Sequence, residues 1–287
     1  MKTKPARLRE LIDRGSVLMP GVPNALMARQ VEQAGFDALY ISGAGMANAT
    51  GGVPDIGLLT LTEVVQLAKY VTRAVSIPAI VDADTGFGGA PNVARTIQEL
   101  EAAGLAGCHI EDQEFPKRCG HLAGKSLVSL DEMVEKIKAA AAARRDPDFL
   151  IIARTDARAV DDFGRAVKRA QQYLAAGADA IFPEALQTEQ EFRDFAREVD
   201  RPLLANMTEF GKSPLLSFKQ LSDWGYRMVI FPMTAFRVAM KASADFLADL
   251  KGTGTQSGWL ERMQTRKELY QLLDYDPAAD NWSGSKS

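Results

Sequence analysis

The chain has 287 residues, with 34 Lys and Arg against 37 Asp and Glu for a formal charge of -3. That balance, without a long basic run, argues against a chain built to bind nucleic acid, while a few arginines in one cleft could still hold a small anion. Only Cys108, Cys119, His109 and His121 supply thiol or imidazole, so a disulfide-stapled fold is excluded and a chemically specialised segment is suggested. The first residues lack the apolar run of a secretory signal, and no apolar stretch is long enough to span a membrane. A soluble, cytoplasmic setting is expected.

In chain order, VLMPG near Leu18 is the first strand candidate, and AGFDALYISG (34–43) the second. SIPAIVDAD leads into Asp82 and Asp84, AGLAGCHIED (103–112) into Glu111, and DFLIIARTD into Arg154 and Asp156. AGADAIFPEA (176–185) ends in Glu184, DRPLLANMT in Asn206 and Thr208, and WGYRMVIFPM (224–233) at Pro232. Four of these share one design: Gly35, Gly104, Gly177 and Gly225 would end a helix in the left-handed conformation. Seven residues on from each lie Ser42, Glu111, Glu184 and Pro232, which places all four at one height on equivalent strands. Between the strands, Thr60 with Glu63, Ser129 with Glu132, Thr188 with Glu191 and Ser217 with Gln220 read as capping boxes.

Eight apolar strands, about thirty residues apart and separated by helices, predict an α/β fold, a single TIM-type β/α barrel spanning residues 1–275. An open doubly wound sheet seldom supplies polar groups from so many strand ends. The polar tail 276–287 is expected to be disordered, and Arg262 to Leu273 to form a helix that packs on a neighbouring subunit.

The strand ends carry the chemistry. Asp82 and Asp84, two apart on a strand, should share the inner face, where their mutual repulsion calls for a cation such as magnesium. A plain ion pair with Arg154 would also balance them. Glu111 could hold a metal-bound water, or serve as an arginine partner. About sixteen residues separate Asp112 from Ser129, long for such a connection and suited to a lid. Its centre puts Cys119 among Lys117, Arg118 and His121, which should lower the thiol pKa, while Gly120 permits close backbone approach. Parity turns His109 into the barrel and Cys108 outward, so the four soft ligands cannot meet at one zinc. Arg154, Asn206, Thr208, Arg237 and Arg266 suit a substrate with several carboxylates, and the turn at Ser42, Gly43 and Ala44 offers backbone donors. Tyr40, two residues before Ser42, is more often a core residue.

DADTGFGG (82–89), IEDQ (110–113), PKRCGH (116–121), ARTDA (153–157), FPEA (182–185), LANMTEFG (204–211) and MQTR (263–266) together resemble the isocitrate lyase and phosphoenolpyruvate mutase superfamily. Within it they are most similar to the bacterial 2-methylisocitrate lyases, from about Leu8 to Tyr275. The resemblance implies a magnesium-dependent lyase that splits 2-methylisocitrate into pyruvate and succinate in propionate breakdown by the methylcitrate cycle. It implies a homotetramer, a dimer of dimers, whose last helix is exchanged between subunits. Asp82 and Asp84 would lie at the metal with Glu111 behind a water, and Cys119 would be the general acid. Ser42, Gly43, Ala44, Gly120, His121, Arg154, Glu184, Asn206, Thr208, Arg237 and Arg266 would bind substrate, with Tyr40 or Lys117 as base. Leu122 stands where many relatives have arginine, and SGAG replaces SGGG at 42–45. 2,3-Dimethylmalate lyase and oxaloacetate carbon-carbon hydrolase activities remain the alternatives.

Overall fold

The structure, a computed structural model, describes residues 2–121 and 124–278, together with the backbone of 281–282. Eight parallel strands close into a barrel in chain order: β1 (Val17–Val22), β2 (Leu39–Ile41), β3 (Ala79–Asp82), β4 (Gly107–Glu111), β5 (Leu150–Thr155), β6 (Ala180–Pro183), β7 (Leu203–Asn206) and β8 (Tyr226–Phe231). The closed ring excludes the doubly wound alternative. Gly35, Gly104, Gly177 and Gly225 all have positive φ, 86°, 81°, 112° and 98°, so each serves as the left-handed stop that turns a helix into the next strand.

Helices alternate with the strands. All four expected cap side chains accept a backbone hydrogen bond, but only Thr60 and Ser217 complete the reciprocal box. Glu191 instead receives the guanidinium of Arg158 at 2.8 Å, a stronger partner than a single N–H. In the helix Leu61–Ala74 the buried stripe is Val64, Ala68 and Val71, with Leu67 at its margin.

Side chains of the strands divide into two cores. An inner one fills the barrel with Met19, Tyr40, Ile80, Ile152, Phe182, Leu204, Met228 and Ile230, while Cys108 belongs to the outer layer between sheet and helices. The helix Lys4–Arg14 plugs the lower end: Leu8 and Ile12 join the inner core, and Lys4 Nζ donates to the carbonyls of Thr72 and Val75. Because strand side chains alternate, five of these inner core residues are followed two positions later by a group at the upper mouth. Tyr40 precedes Ser42, Ile80 precedes Asp82, Ile152 precedes Arg154, Phe182 precedes Glu184 and Leu204 precedes Asn206.

The last helices differ from expectation. The segment before the tail is a 3-10 turn (Ser257–Arg262) followed by the helix Arg266–Leu272, because Thr265 caps the latter with a full capping box to Glu268. Tyr275–Asp276 pairs antiparallel with Asn281–Trp282, so that part of the tail is ordered; residues 279–280 and 283–287 lie outside the described residues, as does Leu122. No helix among the described residues is long and apolar enough to cross a membrane.

Candidate active site

The mouth is organised around Arg154. Fully buried, it reaches Glu111 on the neighbouring strand (Nη1 to Oε2, 3.2 Å), Asp156 (Nε to Oδ2, 3.0 Å) and Glu184 (Nη2 to Oε2, 3.4 Å), and its Cζ lies 5.1 Å over the Phe182 ring. Glu111 and Arg154 are register partners across β4 and β5, as are Asp82 and His109 across β3 and β4. Burial works to raise the Glu184 pKa, but Arg154 and the hydrogen bond from His121 hold it far below the ordinary carboxylate value.

Asp82 and Asp84 do come together, though not by strand alternation. β3 ends at Asp82; Asp84 sits beyond it with φ 46° and donates its backbone N–H to Asp82 Oδ1 at 2.9 Å. Opposite them, a Cβ at Gly43 would lie 2.7 Å from Asp82 Oδ2, so only glycine leaves that carboxylate room. Lys117 supplies the cation at Asp84: its ammonium contacts Asp55 and lies 2.7 Å from Asp84 Oδ1. Burial would lower the Lys117 pKa, yet Glu111, Asp84, Asp82 and Asp55 outweigh it and keep the amine protonated. Burial and the Asp82 charge push Asp84 up to about 6. Burial also pushes Glu111 well above its usual value despite Arg154, and neither of its oxygens accepts a hydrogen bond.

Among the described residues no group of three or more His, Cys, Asp or Glu side chains forms a ready-made metal cage. Two converging carboxylates with a third that lacks a donor nevertheless fit a small hard cation. Magnesium uses one or two protein carboxylates and keeps water or substrate oxygens in its remaining positions.

Below the pair lies His109, inside the barrel as parity requires. Its Nε2 is 2.9 Å from Tyr40 Oη and 3.7 Å from Asp82 Oδ1, and its ring packs edge-on against Phe182. Burial lowers its pKa to about 4, so the imidazole is neutral near pH 7. Tyr40 Oη is 3.5 Å from Asp82 Oδ2, and burial holds its phenol protonated well past its ordinary range. Ser42 caps the short helix Gly43–Met46 through Gly45 N, leaving Gly43 and Ala44 half-buried at the mouth.

The long loop folds down as a lid. Gln113 brackets Arg118, accepting from its N–H and donating to its carbonyl, both at 2.9 Å. Gly120 presses onto the mouth: a Cβ there would come within 2.6 Å of Glu184 Cγ and closer still to Arg154 Nη2. His121 Nε2 is 3.0 Å from Glu184 Oε1, and its Nδ1 accepts from Lys212 N. Cys119 is half-buried at this tip. Its thiol pKa is raised, not lowered as the KRCGH run suggests. Burial is the main cause, the His121 N–H opposes it, and Asp55 and Glu184 add to it. Lys117 is engaged by Asp55 and Asp84, and the His121 ring by Glu184 and the Lys212 N–H.

Asn206 Nδ2 donates to Glu184 Oε2 at 3.3 Å, and half-buried Thr208 follows two residues on. Arg237 stands at the rim, donating to the Glu209 carbonyl at 2.9 Å and covering the Phe210 ring. Arg266 is not brought to the mouth within one chain: it is exposed at the start of the helix Arg266–Leu272, which packs against the helix Ala25–Gln33. Sequence reasoning missed Asp55 and Lys125. Asp55 lies in an unpatterned loop 62 residues from its lysine, and Lys125 is an ordinary lysine until its burial is seen.

Fold and site together define a β/α-barrel enzyme for a small carboxylate. A family profile described as phosphoenolpyruvate phosphomutase matches residues 8–251. The chain is 54% identical to 2-methylisocitrate lyase of Aeropyrum pernix over 93% of its own length and 86% of that protein. It is likewise 54% identical to probable 2-methylisocitrate lyase 1 of Corynebacterium glutamicum over 90% of this chain and 85% of that one. Among solved structures it resembles 2,3-dimethylmalate lyase (TM-score 0.90, 37% identity, 95% of this chain and 92% of that one). It also resembles phosphonopyruvate hydrolase complexed with oxalate and magnesium (TM-score 0.86, 33% identity, 94% and 95%). The chain therefore belongs to the phosphoenolpyruvate mutase/isocitrate lyase superfamily.

Proposed function

We propose that this chain is a 2-methylisocitrate lyase, releasing pyruvate and succinate by retro-aldol cleavage as a step of propionate breakdown. The identity to 2-methylisocitrate lyases favours the substrate. The observation that supports the mechanism is the seating of the lid: Gly120 and His121, the residues that follow Cys119, rest on Arg154 and Glu184 at the mouth.

In this reading Arg154, Asn206, Thr208 and Arg237 hold substrate carboxylates, with Ser42, Gly43 and Ala44 around the pyruvate part. Magnesium, held by Asp82 and Asp84 with Glu111 behind a water, would supply Lewis acidity toward the substrate oxygen whose proton is lost. Tyr40 or Lys117 takes that proton. Of the two, Lys117 starts as an ammonium and would first have to give its own away; Tyr40 needs its phenol ionised against burial. As the carbon-carbon bond breaks, its electron pair moves into the succinate half, and the Cys119 thiol, kept protonated by burial, gives that carbon its proton. The closed lid keeps bulk water from competing.

Residues 1–275 act as one cytoplasmic lyase unit in a homotetramer built as a dimer of dimers. The helix Thr234–Thr253 has no buried residue and exposes Val238 and Leu247, which supports its exchange with a second copy that would return Arg266 to a mouth. The deciding assay offers 2-methylisocitrate, isocitrate, 2,3-dimethylmalate and oxaloacetate with magnesium, and measures pyruvate, glyoxylate, propionate and acetate. Pyruvate from 2-methylisocitrate is expected. Propionate and pyruvate from 2,3-dimethylmalate alone, or acetate and oxalate from oxaloacetate alone, would replace the reading.

A further inference from the structure

Lys125 lies on the return arm of the lid, and its side chain is 1% exposed. A buried ammonium is costly unless it is paired and hydrogen-bonded, so its partners report what it is for. One is the carbonyl of Gly120, the residue after Cys119. The other is Asp156 Oδ1, at 2.5 Å.

Asp156 is itself fully buried and held by other groups. Its backbone N–H donates to Asp112 Oδ1 at 2.9 Å, and its carboxylate takes two hydrogen bonds from Arg154, at 3.0 and 3.2 Å. Lys125 thus ties the lid tip to a fixed point in the barrel through one side chain. From the opposite flank, Gln113 brackets Arg118. The Cys119 segment is held on both sides, and the Lys125 tie runs to Asp156, a carboxylate that also orients Arg154.

We propose that Lys125 is a positioning residue for the reaction. It latches the closed lid by joining the Gly120 carbonyl to Asp156, and so sets Cys119 over the carbon to be protonated. The link to turnover rests on the lyase reading above; the latch itself does not. Removing the ammonium leaves Asp156 with both Arg154 hydrogen bonds, so no carboxylate is stranded and the barrel should fold.

The test uses Lys125→Met and Lys125→Arg in the full chain, with iodoacetamide labelling of each cysteine followed by peptide mass. Cys108, fully buried in the outer core, reports global opening, and Cys119 reports the lid. Losing a hydrogen-bonded charge of this kind should open the lid about 10- to 100-fold more often. Cys119 in Lys125→Met should then label faster by that factor while Cys108 stays unlabelled. The value of kcat/KM on 2-methylisocitrate should fall by a similar factor, with Lys125→Arg in between. Cys119 labelling within twofold of wild type overturns the latch, and parallel labelling of both cysteines overturns it in favour of general stabilisation. Faster Cys119 labelling with unchanged kcat/KM leaves Lys125 no part in positioning the acid. If the wild-type chain cleaves none of the four acids, the labelling still decides the latch, and only the lyase reading fails.

Discussion

Gly120→Ala isolates the seating of the lid from every other property of the loop. Gly120 does not have a positive φ, so alanine costs nothing in backbone strain, and the whole effect is steric. The added methyl would stand 2.6 Å from Glu184 Cγ and 2.8 Å from its Cδ, with Arg154 Nη2 on its other side. Neither neighbour can retreat, because Arg154 is held by Glu111 and Asp156 and Glu184 by Asn206. The lid must therefore rise, and overpacking of this kind costs about 1–3 kcal/mol. Only the closed state bears that cost, since an open lid has no contact to lose. The expected result is a fall in kcat/KM on 2-methylisocitrate of about 5- to 150-fold, at 1.4 kcal/mol per tenfold, with an unchanged melting temperature. Steady-state kinetics beside calorimetry would measure both. Activity within twofold of wild type would refute closure onto Arg154 and Glu184, and a drop in melting temperature matching the loss would make the contact structural.

Cys119→Ser should leave binding of a non-cleavable dicarboxylate intact while turnover falls about 10²- to 10⁴-fold, the usual share of a general acid; retained turnover would remove Cys119 from that role. Because burial raises the Cys119 pKa, the acid stays loaded at neutral pH, and any loss of rate from its ionisation should appear only on the alkaline side of the ordinary thiol value. Glu184 is held below its unfolded value, so its stabilising contribution is complete above about pH 4.5 and is lost as pH falls below it; Glu184→Gln should flatten the acid limb of urea-unfolding stability. Chelation should abolish activity and added magnesium restore it, whereas Asp82→Asn should resist restoration. Gly107→Ala would drive a methyl to 2.6 Å from the Leu150 carbonyl across β4 and β5, costing about 1–3 kcal/mol of stability in chemical denaturation.

The barrel was legible because its signals are local. A left-handed glycine stop, a short apolar run and a polar residue on the inward parity recur within ten residues and give Ser42, Glu111 and Glu184, while Asp82, Arg154 and Asn206 follow from apolar runs that end in polar groups. Partnerships were not legible, because they depend on three-dimensional closure. Lys117 could be placed beside Cys119 by sequence, but not turned toward Asp55 and Asp84, and the burial that mainly raises the thiol pKa shows only in the folded chain. Asp84 was read from strand alternation, whereas it lies past the end of β3 with a left-handed backbone whose N–H donates to Asp82 Oδ1. Arg266 reads as a site residue from its motif, yet in this chain it is exposed at the start of the helix Arg266–Leu272.

The charges at the mouth give a reason for the cation independent of any motif. Asp55, Asp82, Asp84, Glu111, Asp156 and Glu184 face three permanent cations, Lys117, Lys125 and Arg154. Such a surplus in a low-dielectric site is relieved by protonation or by a bound cation, and Asp84 and Glu111 are the groups pushed upward. On the lid side Lys125 pairs with Asp156 and Arg154 reaches Glu184, so the surplus falls toward Asp82, Asp84 and Glu111. A substrate carrying several carboxylates would deepen it, and Arg237 alone does not offset that. A divalent cation on the Asp82 side meets the electrostatic need of a polycarboxylate at this mouth.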